Sequence, residues 1–285
     1  MKTVGVIGGS GLYEMEGLTD IRSIKVETPW GSPSDDLTEG KLGDIKMVFL
    51  PRHGRGHKIM PSEVNYRANI YAMKKLGVGW IISVSAVGSM REEIAPGDVV
   101  IPSQFFDQTK GRVSTFFGDG IVAHVSMADP VCPRLSQALY MAAKDLGATA
   151  HWGGVYICIE GPQFSSRAES NIYRKWGVDV IGMTNMPEAK LAREAEICYA
   201  TLALSTDYDC WHEAHADVTV EDIIETLTKN VDLARRVIKA VVSMIPDREN
   251  CPCSNALKNA IITPKEAITE VVKRRLDIIV ERYIK

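Results

Sequence analysis

The strongest constraint on the fold is a repeated alternation. Short apolar runs end at Gly, Pro or small polar residues, and helix-length segments separate them. Residues 4–7 stop at Gly8-Gly9, 45–50 stop at Pro51, and 80–84 run into Ser85-Ala86. Residues 98–101, 155–159, 178–181 and 199–205 repeat the pattern. Short apolar runs without polar alternation read as strands covered on both faces. Helices are expected over 62–76, capped by Ser62 and stopped by Gly77, and over 135–146, stopped by Gly147. Further helices are expected over 166–176 and from Pro187 to about residue 196.

The last third changes character. Thr219 can cap a long helix whose apolar positions Val220, Ile223, Ile224, Leu227, Val231, Ala234, Ile238, Val241 and Ile245 fall three and four apart. Pro246 ends it. Residues 264–284 read as a terminal helix with apolar Ile268, Val271, Val272, Leu276, Ile279 and Val280. The expected fold is α/β: one domain over 1–285, with a mixed, largely parallel central sheet flanked by helices and a helical extension from about 247. In such sheets ligands sit beyond the C-terminal ends of the strands.

Composition narrows the function classes. The chain is 45% hydrophobic and 24% charged, with a formal net charge of -3 and no long Lys/Arg run. Nucleic-acid binding therefore has no electrostatic footprint. Nowhere do about 18 apolar residues run together, so no membrane partner is expected. The first residues lack a basic-then-apolar leader pattern, and a cytoplasmic enzyme is the expectation. Of six cysteines, Cys251-Pro252-Cys253 stands out. No second Cys or His pair lies nearby at a zinc-like spacing, so no metal is expected. An oxidising or hyperthermophilic setting would permit a disulfide there.

Five motifs follow the apolar runs. Gly8-Gly9-Ser10-Gly11 lets backbone approach an anion and adds a hydroxyl, although a plain tight turn explains it as well. It lacks the Lys of a phosphate-binding Walker loop, and Glu14 stands where a dinucleotide fingerprint needs its third Gly. Arg52-His53-Gly54-Arg55-Gly56-His57 offers guanidinium forks and imidazoles suited to phosphate, or is a solvated basic turn. Ser85-Ala86-Val87-Gly88-Ser89 combines small side chains with hydroxyl donors. Met183-Thr184-Asn185 offers a thioether for an apolar surface and another hydroxyl. In Thr206-Asp207-Tyr208-Asp209, two carboxyls two residues apart share one side of an extended chain. One of them, kept protonated, can serve a ring nitrogen as a general acid.

In combination these motifs are specific. With residues 51–57, 89–94, 159–169, 182–188 and 207–211 in the same order, the chain resembles the 5'-methylthioadenosine phosphorylase branch of the trimeric purine nucleoside phosphorylases. The likeness runs from Thr3 to about Ile245 and fades beyond. It implies a nucleoside phosphorylase-like fold and a pentosyltransferase of purine and methionine salvage. The reaction would split 5'-methylthioadenosine with inorganic phosphate as co-substrate and no cofactor. By this resemblance Ser10, Arg52, His53, Ser85, Ala86 and Thr184 would bind phosphate. Met183 would pack on the ribose, Phe164 and Ser165 on the purine. Asp207 and Asp209, with Tyr208 between them, would address N7 and the 6-amino group, Asp207 as the catalytic acid. Val220 and Ile223 would shape the methylthio pocket, which His124 of a neighbouring subunit would close, implying a homotrimer. The chain departs from the family pattern at Ser10 and Ser85, often Thr, and at Gly182, where animal members carry Asn. The rival readings are a broader purine nucleoside phosphorylase or a methylthioinosine phosphorylase. From other classes come a non-catalytic nucleotide sensor and a dehydrogenase.

Overall fold

The apolar runs form strands, and those strands alternate their side chains between two separate apolar layers. The computed structural model describes residues 2–212 and 220–284; within these, the side chains of Ser10, 220–225, 227 and 228 are not described. Its strands are β1 (Thr3–Gly8), β2 (Leu18–Ile24), β3 (Leu37–Leu42), β4 (Ile45–Pro51), β5 (Trp80–Ser89) and β6 (Val99–Ile101). They continue with β7 (Gln104–Gln108), β8 (Ala150–Trp152), β9 (Val155–Ile159), β10 (Val180–Gly182) and β11 (Cys198–Tyr208). The helices are α1 (Tyr66–Lys75), α2 (Pro133–Asp145), α3 (Arg167–Lys175), α4 (Asn185–Glu194), α5 (Val220–Val242), α6 (Glu270–Arg275) and α7 (Asp277–Ile284).

The sheet is mixed and largely parallel. Its main path runs β2-β3-β4-β1-β5-β10-β9-β7, and β11 pairs with both β5 and β6. On one face Val4, Val6, Met47, Phe49, Trp80, Ile82, Ala200 and Leu202 pack under α2 and α5. On the other, Ile7, Val48, Leu50, Ile81, Tyr199 and Ala203 pack under α1, α4 and the C-terminal segment. This period-two division makes the runs continuously apolar, because both faces are covered. In α5 the expected stripe is buried at Ala234, Ile238 and Val241, and Ile245 follows it into the same layer.

Several elements differ from expectation. Helix α1 is capped by Asn65, whose Oδ1 accepts from Ala68 N at 3.1 Å, because Ser62 turns away to Glu160. Gly77 does end the turn beyond it, at φ +82°. Strands β2, β3, β7 and β8 were not anticipated: LTDIRSI, LTEGKL and QFFDQ mix polar and apolar residues, and β8 has only three residues. The terminal helix is broken into a 3-10 turn (Lys265–Ala267), α6 and α7. The Asp277 carboxylate accepts from Tyr71 Oη at 2.6 Å and from Ile278 N at 2.5 Å, so it starts a new helix instead of continuing the old one. Ile268, Val272, Leu276, Ile279 and Val280 still reach the core, whereas Val271 is 71% exposed. Among the described residues no helix is long and apolar enough to cross a membrane.

Candidate active site

The site arises from the length of β5. One edge of this strand pairs with β1 through Ser83 and with β10 from Gly88, while the other edge pairs with β11 along its whole length. Residues 84–87 therefore have no strand partner on the first edge among the described residues. Ala86 is solvent-exposed in the middle of a central strand, between buried Ser85 and Val87. A cavity of about 360 Å³ opens at this gap. It lies where the C-terminal ends of β1, β4 and β11 converge, at Gly8, Arg52 and Asp207.

One end of the cavity carries donors. Ser85 Oγ lies 3.0 Å from Thr184 Oγ1 and 3.0 Å from the buried Tyr156 hydroxyl. Thr184 immediately precedes α4, and Gly8 and Gly9 close the same wall. Arg52 lines the cavity, but its guanidinium is heavily committed. It donates to both Glu188 oxygens, to Ser83 Oγ, and to the carbonyls of Ile7 and Val84. Of its five N–H bonds, one on Nη1 is left for a ligand. His53 Nδ1 lies 2.8 Å from the Ile59 carbonyl, so the hydrogen sits on Nδ1. Burial, reinforced by the Arg52 charge, pulls the His53 pKa down to about 4. The imidazole is neutral at pH 7 and offers Nε2 as an acceptor, a partner for a hydrogenphosphate O–H.

The other end carries the acids. Asp207 follows a bulge in β11 at Thr206, and both Asp207 and Asp209 line the cavity beside Gly88. A Cβ at Gly88 would stand 3.1 Å from Asp207 Oδ1 and 3.4 Å from Asp209 Cβ, so a small residue gives the acids their room. Burial raises the Asp207 pKa to about 6; the 2.6 Å hydrogen bond from Thr206 Oγ1 opposes this and Asp209 adds to it. Asp209 is also raised, chiefly by burial, and its Oδ2 has no hydrogen-bond partner among the described residues. Ser165 Oγ is likewise buried without a described partner, and Phe164 stands 62% exposed at the rim. Met183 packs against Gly161. A Cβ at Gly182 would overlap the Tyr156 hydroxyl, which accounts for glycine at this position.

Arg52, His53, Ser85, Ala86, Phe164, Ser165, Met183, Thr184, Asp207 and Asp209 thus share one cavity. Tyr208 does not join them. Its hydroxyl donates to the Glu92 carbonyl and its ring stacks on His212, because alternation turns it to the opposite face from its neighbours. His124 is exposed on a segment tied to Ala260 and does not line this cavity. The Ser10, Val220 and Ile223 side chains lie outside the described residues. Arg55 pairs with Asp35 at 2.6 Å in a separate, polar cleft.

Two supporting residues escaped the sequence reading. Arg112 donates to the carbonyls of Met183 (2.7 Å), Met186 (2.6 Å) and Glu160 (2.7 Å), fixing the loops that carry Met183 and Phe164. Glu188 receives Arg52. A basic residue far along the chain from both loops gave no local signal.

Known proteins resemble this chain over nearly its whole length. The phosphorylase superfamily model matches residues 3–243. The S-methyl-5'-thioadenosine phosphorylase of Geobacter sulfurreducens is 64% identical over 284 residues, covering 99% of each chain. That of Koribacter versatilis is 54% identical, covering 98% of this chain and 96% of its own. Among solved structures, a methylthioadenosine phosphorylase from an Antarctic soil metagenomic library superposes with TM-score 0.92 at 54% identity, covering 98% of both chains. The Schistosoma mansoni methylthioadenosine phosphorylase, solved with adenine, gives 0.82 at 39% identity, covering 90% of this chain and 96% of its own. The likeness to the Geobacter protein continues through the C-terminal segment, past Ile245 where it was expected to fade.

Proposed function

Since this chain belongs to the phosphorylase superfamily, we propose that it is a pentosyltransferase that cleaves 5'-methylthioadenosine with phosphate, giving adenine and 5-methylthioribose 1-phosphate. One observation carries the reading: the hydroxyls of Ser85 and Thr184 and the largely buried carboxyls of Asp207 and Asp209 line one cavity of about 360 Å³. Pockets for small ligands begin at about this size. The high identity to methylthioadenosine phosphorylases over nearly the whole chain supports the choice of substrate.

The phosphate is held by Ser85, Thr184, the free backbone edge at Ala86, the remaining Arg52 donor, His53 and Ser10. As the C1'–N9 bond lengthens, positive charge grows on the ribose and the bonding pair passes to the purine. Asp207, whose protonated form burial favours, gives its proton to N7 and neutralises the leaving base. Such acid help is worth roughly 10²–10⁴-fold. A phosphate oxygen then forms the new bond to C1'. Positioning and fixed dipoles supply the remainder, with no metal or organic cofactor at the reacting atoms. Asp209 accepts from the 6-amino group through the oxygen that has no partner among the described residues, and Met183 and Phe164 cover ribose and purine. The resemblance assigns the methylthio group to Val220 and Ile223, whose side chains lie outside the described residues.

We assign the working form to a cytoplasmic homotrimer, with His124 closing a neighbour's cavity. Exposed Val122 (44%) and Ile262 (62%), on the segments paired around it, support an interface at that residue.

The deciding experiment measures base release from methylthioadenosine, adenosine, inosine and methylthioinosine, with and without phosphate. Phosphate-dependent adenine release, fastest from methylthioadenosine, is expected. Preference for the inosine forms would favour the 6-oxopurine alternative, and no release from any nucleoside would defeat the enzymatic reading.

A further inference from the structure

Far from the cavity, four cysteines from three parts of the chain meet. Cys132 stands just before α2, Cys198 opens β11, and Cys251 and Cys253 flank Pro252 in the segment after α5. All four are buried, and their Sγ atoms all lie within 4.8 Å of one another. Cys251 Sγ is 3.8 Å from Cys132 Sγ and 3.6 Å from Cys198 Sγ. Disulfide sulfurs stand about 2.05 Å apart, and all four cysteines are free. A tetrahedral ion with metal–sulfur bonds of about 2.3 Å holds its sulfurs about 3.8 Å apart. The observed spacing is that of a ligand cage.

The surroundings suit a cluster of negative charge. Arg193 Nη1 donates to Cys253 Sγ at 3.6 Å, an outer contact that orients a ligand and offsets its charge. The positive end of the thirteen-residue helix α2 lies at Cys132. Four thiolates in this arrangement select a soft, tetrahedral ion over magnesium or calcium. With all four positions filled by protein there is no place for water or substrate, so the ion is structural. It also stands apart from the chemistry. Cys198 and Asp207 are at opposite ends of β11, about 30 Å apart at a strand's rise per residue.

We propose that Cys132, Cys198, Cys251 and Cys253 bind one zinc ion, which ties the segment after α5 to α2 and to the start of β11. In sequence the Cys-x-Cys had no second pair near it; the fold supplies Cys132 and Cys198 from more than fifty residues away. The geometry is independent of the proposed reaction, because none of the four thiols lines the cavity.

The test uses the full-length, tag-free chain purified from zinc-supplemented cells. Elemental analysis is expected to find about one zinc per chain. Replacing zinc by cobalt should give the intense visible bands of tetrahedral tetrathiolate cobalt. Cys253→Ser should lose stoichiometric metal and melt earlier, whereas Cys210→Ser, outside the cluster, should keep its zinc. Should Cys253→Ser not fold, the cobalt spectrum of the wild type still decides. Titration of thiols after denaturation in chelator, without reductant, should count all six cysteines. Fewer thiols would reveal disulfides and overturn the proposal. So would six thiols in a chain that takes up no zinc or cobalt.

Discussion

Arg52 and Glu188 form an ion pair that solvent barely touches: Arg52 is 2% exposed and Glu188 0%. Nε donates to Oε2 at 2.8 Å and Nη2 to Oε1 at 3.0 Å, and Tyr199 Oη and Ser83 Oγ donate to the same Oε1. Arg52 lines the cavity, and Glu188 does not. The pair satisfies both charges and fixes the guanidinium, with one Nη1 hydrogen left without a described acceptor.

Removing one partner should therefore be costly. Glu188→Ala leaves a buried, unpaired guanidinium, and about 3–5 kcal/mol of stability should be lost. Glu188→Gln keeps the shape and should cost less. In both, the phosphate KM should rise more than the nucleoside KM, because the pair touches only the anion end. Urea unfolding and two-substrate kinetics test this. A phosphate KM unchanged in a folded Glu188→Gln protein would show that Arg52 is not oriented by Glu188.

The 3.0 Å contact between Ser85 Oγ and Thr184 Oγ1 makes a second prediction. These hydroxyls bond each other beside the position assigned to phosphate, and each can turn toward an anion. Thr184→Val keeps the volume and removes the hydroxyl. A hydrogen bond to a charged group is worth about 1.5–3 kcal/mol, so the phosphate KM should rise roughly ten- to hundredfold. Phosphate saturation curves at fixed nucleoside measure it. An equal rise in both substrates' KM would mean a general distortion and remove Thr184 from the phosphate site.

Much of this site was legible because each motif follows a short apolar strand, and a parallel sheet brings such strand ends together. That logic placed Arg52 beside Thr184 and Asp207. It did not reveal that Arg52 is mostly occupied by Glu188, 136 residues away, since nothing local marks so distant a pairing. Tyr208 could have been set aside from alternation alone, as it stands between two residues that share a face. Strands β2 and β3 were invisible for another reason. In β2 exposed side chains such as Arg22 and Ser23, and in β3 the buried polar Thr38 and Glu39, break the apolar run that marks a buried strand. The break in the terminal helix depends on a contact between Tyr71 and Asp277, which periodicity cannot register.

Asp209 tests base selection. Its Oδ2, without a partner among the described residues, suits a 6-amino donor, and ionised it would repel a 6-oxo oxygen. Asp209→Asn exchanges that repulsion for an amide that can donate. The ratio of kcat/KM for methylthioadenosine over methylthioinosine should fall by about tenfold or more, since a site built around a buried hydrogen bond discriminates strongly. Competition assays with both nucleosides read the ratio directly. An unchanged ratio would take the selecting role away from Asp209.

Asp207 links function to pH. Its folded pKa of about 6 lies above the ordinary Asp value, so the native state holds this proton more tightly than the unfolded chain. The stabilisation is complete below the unfolded pKa of about 4 and is lost as pH rises through about 6. Asp207→Asn should abolish that slope and leave the protein relatively more stable above pH 6. Catalysis should move the other way. Loss of the proton donor should lower kcat by roughly 10²–10⁴-fold. For the wild type at saturating phosphate, kcat/KM for the nucleoside should decline on the alkaline side, with an apparent pKa near 6. In Asp207→Asn that limb should vanish. Near-normal turnover in the variant, or an alkaline limb that survives the substitution, would assign the proton at N7 to another group.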